Sequence, residues 1–320
     1  MPTIITRGAV SAKAYGFGVS GGYSVKNSLR FRSSASAYLN RTPSVAGNRQ
    51  RWTYSVWVKR GILTTNCYLI QSNVNSSAGL TIDFDTDRLS YGINGVGNWF
   101  TTAVFRDPSA WYHIVIAFDS TQATAANRLI AYVNNVSYSF SANSIVQNNS
   151  YDINNNTIHY IGRSNSGDYF DGYMAEAYMV DGQQLTPSSF GAYDSNGVWQ
   201  PIKYAGTYGT NGFYLNFGNT ASTTTLGYDT SGNSNNWTTN NFSLTAGSTY
   251  DSMTDSPTVT SASVANYAVL NPLNTGGTLS SGNLGGTGSG FSGQAGTIAM
   301  SSGKWYWEVT NIYNLSLIHI

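Results

Sequence analysis

Charge is scarce in this chain. Of 320 residues only 10% are Asp, Glu, Lys or Arg, against about 25% in an ordinary soluble protein. Its polar surface therefore has to come from Asn, Ser, Thr and Gly, and is neutral and hydrogen-bonding. The 16 basic and 15 acidic residues nearly cancel, to +1. No Lys/Arg run occurs, which removes the electrostatic footprint of a nucleic-acid or anionic-membrane partner. Cys67 is the sole cysteine, so neither an intrachain disulfide nor a Cys-rich zinc site can form. Within NCYLIQS it reads as a small buried hydrophobe. No apolar stretch approaches the ~20 residues of a membrane span, and the first residues, MPTIITRGAVSAKAYGFG, hold no sustained apolar core of a signal peptide. The expectation is a soluble chain made in a cytoplasm, without membrane insertion. Missing too are the H-E-x-x-H helix and the P-loop, so zinc-protease and nucleotide chemistry of those kinds has no footing.

What the chain does have is alternation. In Arg51–Arg60, Trp52, Tyr54, Val56 and Val58 share one face while Thr53, Ser55 and Lys59 share the other, the period of a half-buried strand. Trp57 breaks the polar face, and the N-terminal segment is expected to cover it. From 112 to 118, Tyr112, Ile114, Ile116 and Phe118 alternate with His113, Val115 and Ala117; both faces are apolar, which predicts a central strand. Leu129, Ala131 and Val133 lead through Asn134 and Asn135 into Val136, Tyr138 and Phe140. Asn tolerates the positive φ that a type I′ hairpin turn requires. TIDFDTDRLSYGI predicts a second hairpin with Asp85, Thr86 and Asp87 near its tip. Thr186 as N-cap and Pro187 as first helical residue predict a short helix, and Phe213, Leu215 and Phe217 a strand at a sheet edge.

In order, RWTYSVWVKR, WYHIVIAFDS, RLIAYVNNVSYSF and DGYMAEAYMVDG resemble the laminin-G-like, concanavalin A-type lectin/glucanase jelly roll. The resemblance implies an all-β, antiparallel jelly-roll β-sandwich over residues 26–218, used mostly for binding and sometimes for catalysis. Residues 1–25, Gly-rich and weakly patterned, read as an attachment segment. Residues 219–260, polar and turn-rich, read as a connector. Residues 261–314 read as a truncated second β module, because SSGKWYWEVT is similar to the first strands of a SPRY domain through Gly303, Tyr306, Trp307, Glu308 and Val309. The strand at 305–309 is expected to lack partners and to leave an unpaired edge. The final LSLIHI, 315–320, resembles a sequencing-adaptor reading frame and is set outside the natural protein. The whole layout resembles tail-fibre or other structural proteins of bacteriophages, which implies a virion location after assembly in host cytoplasm. An extracellular bacterial carbohydrate-binding or degrading protein is the alternative.

Glucan hydrolases of this type carry a Glu-x-Asp-x-x-Glu strand that holds two carboxyl groups about 5–5.5 Å apart. This chain has only Glu176 and Glu308 and no such strand. Glu176, among Met174, Tyr178 and Val180, reads as a buried, hydrogen-bonded structural carboxylate. His113 and His159 fall in predicted strands and His319 in the terminal tail, so the chain is read as a non-enzyme with no catalytic residue. Calcium is the cofactor its loop oxygens would suit. Asp119 at a strand end and Asn165, Asp168 and Asp171 around SNSGDYFDG are the metal candidates, with Asp85 and Asp87 a second set. Such residues also populate turns without metal. Glycan binding needs aromatic faces beside amides and hydroxyls, which points to Trp99, Phe100, Asn98 and Asn94 in NGVGNWFTT and to Tyr169 and Phe170. The same aromatics could instead close the ends of the core. The expected partners are a host-surface glycan or other virion proteins, with homo-oligomeric avidity, although no coiled-coil heptad is present.

Overall fold

The computed structural model describes residues 2–5, 23–72, 75–261, 263–288, 293–302 and 308–311. Its strands are β1 (Pro2–Ile5), β2 (Ser28–Phe31), β3 (Tyr38–Arg41), β4 (Arg51–Arg60), β5 (Cys67–Ser72), β6 (Leu80–Asp85), β7 (Arg88–Ile93), β8 (Gly97–Phe100) and β9 (Trp111–Asp119). They continue with β10 (Leu129–Val133), β11 (Val136–Tyr138), β12 (His159–Ile161), β13 (Gly172–Asp181), β14 (Gly191–Tyr193), β15 (Trp199–Pro201), β16 (Phe213–Leu215), β17 (Thr238–Asn240) and β18 (Ser252–Met253). An eight-stranded sheet runs β11-β10-β9-β4-β13-β2-β18, with β16 also paired to β13, and a seven-stranded sheet runs β17-β3-β12-β5-β6-β7-β8.

The alternation explains the layering. Trp52, Tyr54, Val56 and Val58 of β4 share one core with Ile114, Ile116 and Phe118 of β9 and with Ile82, Phe84, Leu89 and Tyr91 of the other sheet. Strand β9 is central, between β4 and β10. Asn134 and Asn135 take φ of 49° and 68°, and Thr86 and Asp87 take 48° and 67°, so both predicted hairpins close on left-handed pairs. The helix predicted at Pro187 is a single 3-10 turn, Pro187–Ser189, and the Thr186 side chain does not cap it. The strand predicted at 213–217 is β16, hydrogen-bonded to β13.

Two apolar clusters cover the outer face of the eight-stranded sheet. Trp57 packs with Val25, Trp111, Tyr173, Ala175, Val269 and Leu284, so among the described residues the end of the N-terminal segment, Tyr23 and Val25, joins residues from far downstream in covering it. Val115, Tyr178 and Val180 pack under Phe190, Tyr204 and Tyr214.

Residues 219–260 are not a connector. Strand β17 extends the seven-stranded sheet beside β3, β18 pairs with β2 in the other sheet, and Leu226, Trp237 and Phe242 enter the core. Asp251 receives the guanidinium Nε of Arg30 at 3.2 Å and of Arg32 at 2.7 Å. Buried Lys59 donates to Asp255 at 2.7 Å, Asn266 at 2.8 Å and the Tyr267 carbonyl at 2.5 Å. The stretch from 266 to 284, expected in a second module, also lies on the eight-stranded sheet: Tyr173 Oη donates to the Gly282 carbonyl at 2.8 Å and Asn283 Nδ2 to that of Gly61 at 2.9 Å. Strand Glu308–Asn311 pairs antiparallel with β1, so this part of the expected free edge has a partner. Gly303, Tyr306 and Trp307 and the 315–320 tail lie outside the described residues.

Candidate functional site

On the seven-stranded sheet, Leu39, Ile161, Ile70, Ile82, Phe84, Leu89 and Tyr91 point into the core, so their alternates point outward. Strand register then aligns Thr238, Asn40, Tyr160, Gln71, Thr81, Gly92 and Asn98 in one row across all seven strands. At strand spacing of about 4.8 Å that row spans roughly 29 Å. Beside it a second row holds Tyr68, Asp83, Ser90 and Phe100, and Asp85 faces Arg88 beyond.

The rows are cross-linked. Asn240 Nδ2 donates to Asn40 Oδ1 at 2.7 Å, and Gln71 Nε2 to Thr81 Oγ1 at 2.8 Å. The Asn165 backbone N–H donates to Gln71 Oε1 at 2.5 Å, which seats the 164–169 loop against β5. The Arg163 guanidinium lies 4.6, 4.9 and 5.4 Å from the rings of Tyr38, Tyr160 and Tyr169, within cation–π range. Arg88 lies 4.4 Å from Phe100 in the same way. Three part-exposed phenol rings are thereby fixed around one cation, beside a line of amides and hydroxyls.

Asp83 is the unusual group here. It is 6% exposed and accepts the Ser90 hydroxyl. Burial pushes its carboxyl up to about 7; the Ser90 hydrogen bond opposes the rise and neighbouring Asp85 adds to it. Tyr68 alongside is raised as well, first by burial and then by Asp83.

The sequence-predicted residues separate onto different surfaces. Asn98 and Phe100 lie on the outer rows, and Tyr169 joins them through Arg163. Trp99 does not: it pairs with Tyr91, stacks on that ring at 5.0 Å and packs against the core. Phe170 is buried, edge-on to Phe31 at 5.7 Å, and Asn94 donates to the Ser76 carbonyl. The four metal candidates do not form one rim. Asp119 faces Arg51 at one end of β4, while Gly172, next to Asp171, faces Arg60 at the other. Nine residues of extended chain separate them by roughly 30 Å.

The carboxylates of Asp119, Asp168 and Asp171 also accept from N–H and O–H donors. Asp119 accepts from the Thr121 hydroxyl at 2.6 Å, Gln122 at 3.1 Å and Arg51 at 2.9 Å. Asp171 accepts from the Ser33 hydroxyl at 2.9 Å and the Gly282 N–H at 2.8 Å. Asp168 accepts from Ser164 at 2.9 Å, and Asp87 pairs with Arg60 and Arg106. Calcium takes six to eight oxygen ligands, and at Asp119 and Asp171 these donors are what the carboxylates now meet. Among the described residues no group of three or more His, Cys, Asp or Glu is placed to hold a metal ion.

Sequence reasoning missed Tyr160, Gln71, Tyr68, Asp83 and Arg163. Each polar residue flanked by apolar neighbours, as in Ile82-Asp83-Phe84, carries a local signal of outward orientation. Their alignment depends on register between strands far apart in the chain.

Residues 31–189 match the family described as Laminin_G_3, Concanavalin A-like lectin/glucanases superfamily. Among solved structures, the native heptameric SAP-like pentraxin from Limulus polyphemus is 14% identical, with 52% of this chain and 80% of that one covered and a TM-score of 0.38. Mouse laminin alpha1 chain, domains LG4-5, is 16% identical over 59% of this chain and 50% of that one, TM-score 0.37. Trypanosoma rangeli sialidase in complex with the inhibitor DANA is 14% identical over 44% and 22%, TM-score 0.33. No curated protein matches the chain.

Proposed function

Residues 31–189 being a concanavalin A-like lectin/glucanase domain, we propose that the protein is a non-catalytic carbohydrate binder that holds a surface polysaccharide on the outer face of its seven-stranded sheet. One observation carries the reading: the Thr238-to-Asn98 row, with the Tyr38, Tyr160 and Tyr169 rings fixed around Arg163. Sugar rings present apolar faces and hydroxyl edges, and this surface offers aromatic faces beside amide and hydroxyl groups. The opposite sheet carries apolar clusters under chain on its outer face. The Asn/Ser/Thr-rich, nearly uncharged composition supports a virion setting, such as a tail fibre whose copies meet a host glycan together and turn weak single sites into avidity.

The test is a glycan-array screen of the full chain, with calcium and with chelator, repeated for Tyr160→Ala and Asn98→Ala. Retention of a polysaccharide, weakened at least tenfold by Tyr160→Ala at unchanged melting temperature, supports the proposal. Variants that bind like the parent, or a chain that retains no glycan, would sink it and leave a structural subunit.

A second reading rests on Asp83 and Asp85, two residues apart on β6 and therefore on one face. A carboxyl raised to about 7 by burial beside a second carboxyl has the unequal environments of a glycoside hydrolase acid and its partner. Release of reducing ends from a retained polysaccharide, abolished by Asp85→Asn, would establish it; retention without hydrolysis supports the binder.

A further inference from the structure

The second feature lies on the other sheet. Along one edge of β13 the hydrogen-bonded neighbour changes: Gly172 to Met174 pair with β2, and Ala177 to Met179 pair with β16. Between these partners Ala175 pairs with Trp57 and Tyr178 with Ser55 across β4, which leaves Glu176 and Ala177 opposite Val56 alone. This is a β-bulge of one extra residue. Glu176 occupies it at a φ of 51°, a left-handed conformation in which glycine is the residue normally found.

The bulge opens onto a cavity of about 330 Å³, lined by Tyr23, Lys26 and Asn27 on the β2 side and by Lys203, Tyr214 and Asn216 on the β16 side, with Glu176 at its floor. That volume lies in the range of small-molecule sites, roughly 300–1,000 Å³. The Glu176 carboxylate accepts the hydroxyls of Tyr178 at 2.7 Å and Tyr214 at 2.8 Å, and that of Tyr23. Burial raises its pKa, against those hydrogen bonds and the nearby Lys203 charge. A structural latch accounts for the three phenols. It does not account for a strained glutamate facing two lysines, since no ion pair among the described residues uses Lys26 or Lys203.

We propose that this seam cavity is a second binding site, for an acidic monosaccharide of the uronic-acid class: its carboxylate meets Lys26 and Lys203, and its hydroxyls meet Glu176, Asn27 and Asn216. Two ammonium groups against one carboxylate leave the cavity net positive, which selects a monoanion, and Coulomb attraction falls off with distance too slowly to be lost across a site of this size. The amides and the acceptor at the floor select hydroxyls, so a simple carboxylate satisfies half of the site.

Calorimetric titration of the full chain with glucuronate, glucose and acetate tests this. Saturable glucuronate binding is expected, at least tenfold tighter than glucose or acetate. The double variant Lys26→Ala/Lys203→Ala, which alters only exposed side chains, should weaken it at least tenfold without moving the melting temperature, and Tyr160→Ala on the opposite face should leave it unchanged. Absence of saturable binding, equal binding of glucose or acetate, or a double variant that binds like the parent would overturn the proposal.

Discussion

At the residue scale, Asp83 couples the outer face of the sheet to pH. Its carboxyl, raised to about 7 by burial, has an ordinary unfolded value near 3.9. Between those values the folded chain holds a proton that the unfolded chain has lost. Its contribution to stability is therefore fully present below about pH 4 and is lost as pH rises through about 7. Above that the ionised, buried group costs up to roughly 4 kcal/mol, at 1.36 kcal/mol per unit. Asp83→Asn keeps an acceptor for Ser90 and removes the charge. In urea melts from pH 4 to 8 the variant should gain on the parent up to about pH 7 and hold that gain above it; two parallel curves would refute the assignment. His113 and His159, lowered by burial to about 3 and 4, destabilise both proteins alike as pH falls below their unfolded value near 6.5, so they drop out of the difference. None of this was legible in the sequence, where Asp83 is one acidic residue in a hairpin. Trp99 and Phe100 show the same limit. Adjacent aromatics read alike in a list of candidates, and strand parity sends one to the core and the other to the outer face.

At the element scale, long strands declare themselves and short ones do not. Strands β4 and β9, ten and nine residues long, carry enough periods for their faces to be assigned from the sequence. The hairpin turns were equally legible through Asn134 and Asn135, because side-chain chemistry sets positive φ locally. Strands β17 and β18 have three and two residues, too few to show a period, and what holds them is distant: Asp251 receives Arg30 and Arg32, with its own side chain fully buried. Replacing Asp251 with Asn leaves two guanidinium groups in low dielectric without their counter-charge, a change that typically costs about 3–5 kcal/mol. Urea denaturation at neutral pH should show that loss; a change under about 1 kcal/mol would mean that the pair is solvated. A fragment of residues 23–218 lacks β17, β18 and the partners of Lys59. It should unfold without a cooperative transition, whereas the fragment of residues 23–288 should melt cooperatively by near-ultraviolet circular dichroism. Equal melts would restore 219–260 to the role of connector.

At the scale of the whole molecule, the sequence reveals the sandwich but not the division of labour between its sheets. One outer face is packed under chain and holds the buried pairs of Lys59 with Asp255 and of Arg30 with Asp251; the other carries part-exposed phenols and amides. With a net charge of +1, the molecule has no field to steer a ligand from afar. Recognition of a neutral polysaccharide then rests on short-range stacking and hydrogen bonds. Its affinity should change by less than about threefold between about 0.01 and 1 M salt, where the screening length falls from about 30 to 3 Å. The seam cavity predicts the reverse, because its selectivity depends on two exposed lysines: glucuronate binding should weaken steadily over the same range. Measuring both ligands in one salt series separates the two faces by mechanism. A steep salt dependence of polysaccharide binding would mean that Arg163 or Arg88 reads an anionic substituent directly, and stacking and hydrogen bonds alone would no longer account for recognition on the outer face.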